Sequence, residues 1–320
     1  MKQKTRKTYL SCFLIFLLCI SLTACGDTPD NPGNDSQVGK PSNSESTSTE
    51  KGSRDNTSVV LEPEASGSSI QSCESATIDT SNCAEGYIMA DYHGTNPKVK
   101  LQIKGPDGVT YSYNLHGGYE VFPLTAGNGT YTIGVYENIS GTKYSTALSC
   151  SVDVTITNEF GPYLYPNQYV NFTAASLPVG KAVELAYTAN NDLEVVESVY
   201  NYMIRNFTYD YDKAATVKSG YLPVVDEVFK SNTGICFDYA SVMATMLRTQ
   251  NIPTRLEVGY VGEEYHAWIS TYIKDVGWVN GIIEFDGTDW NLLDPTFAST
   301  SKSPTKFITE NSSYLTKYVY

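Results

Sequence analysis

Three residue types that cooperate in nucleophilic catalysis follow one another in the second half of the chain, at intervals of about 30 residues: Cys236, His266 and Asp294. Cys236 stands where a helical pattern begins, His266 lies in a strand-like run, and Asp294 belongs to the sequence Leu293-Asp294-Pro295-Thr296. A thiolate attacks carbonyl carbon, an imidazole takes and returns the proton, and a carboxylate orients the imidazole. The order predicts a thiol site built on one helix and two neighbouring strands.

The predicted position of Cys236 favours its ionisation. Unpaired N–H groups at a helix start, and a nearby imidazolium, both lower the pKa of a cysteine. The backbone N–H of Cys236 is also placed to bind an oxyanion. Each residue alone has a simpler interpretation: a packed cysteine, a structural histidine and a turn aspartate before proline. One cysteine and one histidine are too few for a zinc site, and we predict no metal and no cofactor.

Helical and strand-like patterns surround these residues in a domain predicted over 176–320. Apolar residues recur at intervals of three and four from Leu193 to Phe207, after a cap at Asn190-Asn191-Asp192. Further helices are predicted over 224–229 and from Cys236 until Asn251-Ile252-Pro253 ends the third. Strand-like runs follow over 255–261, 266–273, 278–285 and 290–293. Helices followed by antiparallel strands indicate an α+β fold.

Residues 70–158 consist of short alternating runs. Val99 to Ile103 alternates with a period of two before the turn Gly105-Pro106-Asp107-Gly108, and Thr130 to Tyr136 alternates again. The pattern predicts an all-β sandwich, immunoglobulin-like in architecture although it lacks a Cys–Trp–Cys pattern. Such sandwiches host many roles, so this one implies none. His93 and His116 fall here and are assigned no ligand role.

The first 24 residues have the features of an export signal. Four basic residues precede a stretch of about 13 apolar residues, which is too short to span a bilayer comfortably. The closing Leu22-Thr23-Ala24-Cys25 resembles the lipobox of bacterial lipoproteins. That resemblance implies a diacylglyceryl thioether on Cys25 and a protein held on the outer face of the bacterial cell membrane. A plain secretory signal or a short membrane anchor is the alternative.

Residues 25–69 are rich in Ser, Thr, Asn, Asp, Gly and Pro, which predicts a disordered tether. The formal net charge is −13, and residues 1–24 contribute four basic groups and no acidic ones, so the remainder carries −17. That charge excludes nucleic acid and anionic lipid headgroups as partners. Of the five cysteines after residue 24, three have no assigned role, Cys73, Cys83 and Cys150. They allow one disulfide in an exported protein, or free buried thiols.

Several segments together resemble the transglutaminase-like family. They are Gly234 to Ala240, Leu247-Arg248, Asn251 to Arg255, Gly259-Tyr260-Val261, Tyr265-His266-Ala267-Trp268 and Trp290 to Thr296, with Val183 to Ala186, Tyr200-Asn201-Tyr202 and Tyr209 to Asp212 upstream. The resemblance covers roughly residues 180–300. It implies a papain-like core with Cys236 as nucleophile, His266 as base and acid, and Asp294 as orienting residue.

The chain departs from the family pattern in places. Bacterial members often continue after His-Ala-Trp with Asn-Glu-Val, whereas Ile269-Ser270-Thr271 stands here. No acidic calcium loop of the kind found in the animal enzymes is visible. Trp268 and Trp290 are interpreted either as lining an acyl groove or as core packing.

These observations predict a cell-surface thiol acyltransferase, or an amidase or peptidase, acting on glutamine or peptide amide bonds through a thioester. The substrate is a protein, a peptide or a cell-wall peptide, and water or an amine resolves the thioester. Two alternatives stay open. One is a non-catalytic binding or adhesion lipoprotein that uses its β-sandwich, and the other is a structural surface protein.

Overall fold

Eight strands occupy residues 70–154 in the computed structural model, which describes residues 50–261, 263–285, 290–292 and 314–320. They are β1 (Ile70–Ser72), β2 (Ala76–Asp79), β3 (Tyr87–Tyr92), β4 (Val99–Lys104), β5 (Thr110–Leu115), β6 (Gly118–Pro123), β7 (Gly129–Ser140) and β8 (Lys143–Val154). They form two antiparallel sheets with the orders β1-β2-β3-β6 and β5-β4-β7-β8.

Alternation of apolar and polar residues gives both sheets a buried face. In β4 and β5 every second residue is buried, as the sequence pattern predicts. Tyr113 of β5 meets Phe122 of β6 with ring centroids 4.8 Å apart, so side chains from both sheets share one core. The predicted strands at 99–103 and 110–115 are confirmed. The likeness to an immunoglobulin domain stays a prediction.

Five helices follow: α1 (Leu177–Leu185), α2 (Asp192–Asn206), α3 (Tyr211–Thr216), α4 (Val225–Ser231) and α5 (Cys236–Arg248). The three predicted helices correspond to α2, α4 and α5. The side chain of Asn191 caps α2 by accepting a hydrogen bond from the Glu194 N–H at 3.0 Å. Val195, Val199 and Met203 are buried on one side of α2, which explains the spacing of three and four.

Seven more strands lie within the described residues: β9 (Thr208–Tyr209), β10 (Thr233–Gly234), β11 (Thr254–Val261), β12 (Glu264–Ile273), β13 (Gly277–Phe285), β14 (Trp290–Leu292) and β15 (Tyr314–Val319). The last five form an antiparallel sheet ordered β14-β13-β12-β11-β15, and β9 pairs with β10 in parallel. Helix α5 packs against β11 and β12. The predicted α+β arrangement of this region is confirmed, and the tail after residue 313 is a strand.

The segment from residue 51 to residue 60, here called the strap, differs from the expected tether. It has no regular secondary structure, yet Arg54 forms an ion pair with Asp192 at 2.7 Å and donates to the main-chain oxygen of Gln250 at 2.6 Å. Asn56 is buried and donates to the Val183 oxygen at 3.0 Å. Polar side chains here satisfy main-chain groups at helix ends. Composition alone does not reveal such bonds, because they join residues far apart in sequence.

The described residues from 50 onward form one compact unit, and the division of this unit into two predicted domains stays a prediction. Cys25 and the rest of residues 1–49 lie outside the described residues. Among the described helices, none combines the length and apolar character that crossing a bilayer requires. Cys73, Cys83, Cys150 and Cys236 are thiols that form no disulfide. The sequence left either one disulfide or free thiols open for Cys73, Cys83 and Cys150, and the structure has free thiols.

Candidate active site

Cys236 is the first residue of α5, as the sequence predicts. Ile235 before it is extended, with φ −101° and ψ 176°, and the helix begins immediately afterwards. The side chain of Asp238 accepts a hydrogen bond from the Ile235 N–H at 2.8 Å and so closes the start of the helix. The Cys236 side chain is half-buried and faces the positive end of the helix dipole.

His266 lies in β12, opposite Gly259 of β11, and is half-buried. A β-carbon added to Gly259 would lie 2.1 Å from the main-chain oxygen of Leu315. Glycine therefore allows β15 to pair closely beside the strand that supports His266. This gives a physical reason for the glycine in the predicted Gly259-Tyr260-Val261 segment.

Cys236 and His266 line the same cavity, whose volume is about 500 Å³. The start of α5, the neighbouring part of β12 and residues 214 and 217–221 form part of its walls. Most of the large side chains around it are aromatic: Tyr169, Tyr209, Tyr221, Phe237, Tyr265 and Tyr320. A cavity of this size, with a thiol and an imidazole in an aromatic wall, is in the range of ligand-binding pockets in proteins.

Tyr209 is a site residue that the sequence interpretation did not single out. The β9–β10 pair places it opposite Gly234, and hydrogen bonds of 2.9 Å join Thr208 to Asn232 and Asp210 to Gly234. The Tyr209 hydroxyl thereby reaches Cys236, where it forms hydrogen bonds with the backbone N–H and with the thiol. A two-residue strand is too short to show an alternation of apolar and polar residues. In the sequence, only the resemblance of the segment Tyr209 to Asp212 to the transglutaminase-like family pointed to this position.

Burial raises the pKa of Tyr209 to about 12, and the nearby Cys236 sulfur adds to the rise. The hydrogen bond from the Cys236 N–H acts in the opposite direction. The Tyr209 hydroxyl is therefore protonated near neutral pH and can donate a hydrogen bond. It lies beside the backbone group that a helix start offers to an oxyanion.

The remaining predicted residues are less informative. Asp294 lies outside the described residues. Trp268 is 2% exposed and packs against Tyr314 with ring centroids 5.1 Å apart, so core packing is the correct alternative for it. Trp290 belongs to β14. Within the described part of the chain, no group of three or more metal-ligating side chains is present.

Residues 180–281 match the family model of the transglutaminase-like superfamily, and the match includes both Cys236 and His266. The chain carries a transglutaminase-like core. The match extends from α1 into β13, so it includes α5 and β12, which carry Cys236 and His266.

Relatives of the transglutaminase-like core include two bacterial proteins. The uncharacterized protein YebA of Bacillus subtilis is 27% identical over 117 residues, which are 31% of this chain and 16% of the relative. A protein-glutamine gamma-glutamyltransferase of Pseudomonas aeruginosa is 32% identical over 88 residues, which are 23% of this chain and 13% of the relative. The chain thus matches only a small part of either protein.

A solved structure of a candidate cysteine protease from Cytophaga hutchinsonii aligns with a TM-score of 0.34 and 14% identity. The alignment covers 66% of this chain and 67% of the other. A TM-score this low adds nothing to the family match.

Proposed function

We propose that the protein is a cell-surface thiol enzyme that cleaves the amide bond of a glutamine or peptide substrate and transfers the acyl group to water or to an amine. The observation that carries this proposal is the shared cavity of Cys236 and His266 at the start of α5. The transglutaminase-like core supports it, because this superfamily is typically enzymatic. The relative named a protein-glutamine gamma-glutamyltransferase supports an amide as the acyl donor.

In the proposed reaction, His266 takes the thiol proton while the Cys236 sulfur attacks the amide carbon. The oxygen becomes an oxyanion that the Cys236 N–H and the Tyr209 hydroxyl stabilise. The C–N bond then breaks, the amine leaves with the proton from His266, and a thioester remains on Cys236. Attack by water or a second amine, with His266 again as base, releases the acyl product and restores the thiol.

Asp294 has the role of orienting residue in this proposal. A carboxylate that accepts a hydrogen bond from one imidazole nitrogen fixes the tautomer and stabilises the imidazolium formed during the reaction. The role is separately testable, because Asp294→Asn keeps the side-chain size while removing the charge. We expect turnover to fall by roughly 10² to 10⁴-fold, with Cys236 still present as a free thiol.

The proposed location is the outer face of the bacterial cell membrane, with a lipid on Cys25. The lipobox-like Leu22-Thr23-Ala24-Cys25 motivates this part of the proposal. Metabolic labelling with a clickable fatty acid, compared between the natural chain and Cys25→Ala, is the test. Unlabelled protein, or equal labelling of Cys25→Ala, would contradict the anchor without affecting the proposed chemistry.

Iodoacetamide mapping of the full chain tests the thiol. We expect the fastest alkylation at Cys236. Burial raises the pKa of Cys83 and of Cys150, so these two thiols are slower internal references. His266→Ala should slow the alkylation of Cys236 to the rate of the reference thiols. The control is His116→Ala, which changes an exposed histidine paired with Glu120 and should leave the alkylation rate of Cys236 unchanged.

Turnover is measured with a glutamine peptide and a fluorescent primary amine, and Cys236→Ala should abolish both amine incorporation and ammonia release. A reactive Cys236 without turnover on a broad peptide panel would favour the binding-protein alternative. An accessible Cys236 that reacts no faster than Cys150 would overturn the enzymatic proposal.

A further inference from the structure

A buried carboxylate lies two residues after Cys236, and the proposed chemistry does not use it. The Asp238 side chain is completely buried. One of its oxygens accepts from the Ile235 N–H at 2.8 Å and from the Lys213 ammonium at 2.7 Å, and the other accepts from the Tyr221 hydroxyl. A buried carboxylate is stable only when such partners satisfy it, so all three bonds are needed.

Two of these partners come from a single short segment. Lys213 lies in α3 and Tyr221 follows eight residues later, and the Lys213 ammonium also donates to the Tyr221 hydroxyl at 2.7 Å. The same ammonium is 4.3 Å from the centre of the Tyr221 ring, where a cation is attracted to the aromatic face. Both ends of the intervening segment, residues 214–220, are therefore attached to one carboxylate on α5.

That segment, here called the cleft loop, forms part of the wall of the cavity. Residues 214 and 217–220 line the cavity beside Cys236, and all of the cleft loop is exposed. Val217 is 40% exposed, and Tyr265 on β12, which also lines the cavity, is 58% exposed. Among the lining residues that the structure describes there is no Asp or Glu, although the chain as a whole is strongly acidic.

The conformation of the cleft loop is specific at Gly220. Its φ of +89° is one that favours glycine, and a β-carbon there would lie 2.6 Å from the side-chain nitrogen of Asn114 in β5. The cleft loop thus has a defined backbone shape and a close neighbour. It needs a fixed attachment at both ends to keep that shape, because its own side chains are exposed.

We propose that Lys213, Tyr221 and Asp238 form a latch that holds the cleft loop against the cavity and thereby selects acyl donors with an apolar residue beside the reacting amide. This inference rests on the proposed function. The three residues are positioning residues, because their bonds are to one another and to the Ile235 N–H. Val217 and Tyr265 present uncharged side chains to a bound chain beside the exposed Lys218, and the apolar preference rests on these two residues.

Burial, reinforced by the hydrogen bond to Asp238, raises the pKa of Tyr221 well above its usual value. Tyr221 therefore keeps its proton and donates to Asp238 throughout the neutral range. The latch is closed under all conditions in which the thiol chemistry would be measured.

The test uses the full chain with Tyr221→Phe and Lys213→Met. We expect amide hydrogen exchange in the cleft loop to accelerate roughly tenfold, which corresponds to the loss of one hydrogen bond to a charged group. Tyr187→Phe and Lys230→Met change an exposed tyrosine and an exposed lysine elsewhere, and should leave this exchange unchanged. Lys213→Arg keeps the charge and the donors and should restore slow exchange.

Selectivity is measured with two glutamine peptides that differ only in having Leu or Ser next to the glutamine. The unmodified protein should have the lower KM for the Leu peptide. Both latch variants should raise that KM about tenfold. In Lys213→Met, whose side chain does not line the cavity, kcat and the rate of Cys236 alkylation by iodoacetamide should stay unchanged. If the latch had only a structural role, the variants would instead contain less folded enzyme, and the ratio of the KM values for the Leu and Ser peptides would stay the same.

Unchanged exchange of the cleft loop in both variants would overturn the latch. Faster exchange with an unchanged preference between the two peptides would overturn its role in selection. An unmodified protein with an unreactive Cys236 would overturn the proposed function and the selectivity that rests on it, whereas the exchange data would still report whether the latch holds the cleft loop.

Discussion

The guanidinium of Arg248 donates a hydrogen bond to the main-chain oxygen of Tyr320 at 2.9 Å. Arg248 ends α5 and is 1% exposed, and its other N–H groups donate to the main-chain oxygens of Thr254 at 3.0 Å and Tyr165 at 2.7 Å. Burial lowers the pKa of Arg248, and the nearby Tyr163 acts in the opposite direction. One side chain thereby joins α5, the residue after β15, the start of β11 and the segment before α1.

Arg248→Met should reduce the free energy of unfolding by about 3 kcal/mol, because three buried carbonyl groups lose a charged donor. Urea unfolding of the full chain, followed by circular dichroism, measures the change. Arg205→Met is the matched control, since Arg205 is exposed on α2 and its replacement should change stability by less than about 0.5 kcal/mol. Equal stability of the two variants would show that the buried network contributes nothing.

Tyr209→Phe should lower kcat by roughly 10 to 10³-fold, with little change in KM, because it removes a hydroxyl next to the expected oxyanion. The same glutamine peptide and amine serve as substrates. Tyr211→Phe changes an exposed neighbour whose ring centre is 5.1 Å from that of Tyr209, and should keep full activity. An unchanged kcat in Tyr209→Phe would mean that the hydroxyl only packs against Cys236.

Stability should decrease in alkaline solution because many tyrosines are buried. Burial raises the pKa values of Tyr111, Tyr163, Tyr169 and Tyr200, and brings that of Tyr209 to about 12. In the unfolded chain these groups ionise near pH 10, at about their unperturbed pKa. Above that pH the folded state binds more protons, so its stabilisation is complete below about pH 10 and is lost as pH rises through the folded pKa values.

Urea midpoints measured at several pH values from neutral to alkaline, together with tyrosinate absorbance, check this dependence. The folded protein should show only partial tyrosinate absorbance near pH 10, and the remainder should appear with unfolding. Full ionisation of all tyrosines near pH 10 while the protein remains folded would refute the expectation.

Arg54→Ala should destabilise the protein by about 2 kcal/mol, because the ion pair with Asp192 and the bond to the Gln250 oxygen are partly buried. Hydrogen exchange of the Val59 N–H, which donates to the Thr249 oxygen at 2.8 Å, should accelerate as the strap detaches. Lys51→Ala removes a nearby exposed charge and should have no such effect. Identical exchange in the two variants would indicate that Arg54 does not hold the strap.

Local patterns predicted the elements that position Cys236 and His266. Within single segments the sequence shows the cap at Asn191 and the apolar spacing of three and four in α2. It likewise shows the start of α5 at Cys236 and the strand-like segments that form β11 and β12. These features depend on side chains a few residues apart, so the sequence displays them directly.

The features that the sequence did not reveal depend on contacts between distant residues. Tyr209 reaches Cys236 through a two-residue strand pair, which is too short to have a period. The strap is ordered by hydrogen bonds from polar side chains, a composition that otherwise indicates a tether. The Asp238 partners, Lys213 and Tyr221, carry no recognisable motif, since a buried carboxylate can be satisfied from any nearby segment.

The strap also determines where mechanical load would enter the protein. Its bonds to Gln250 and Thr249 lie just beyond the end of α5, and the 13 residues of this helix separate them from Cys236 by about 20 Å. Tension applied to the chain upstream of residue 50 would therefore be resisted at the far end of the helix. The cysteine and its surroundings would be shielded from such pulling until Arg54 and Asn56 give way.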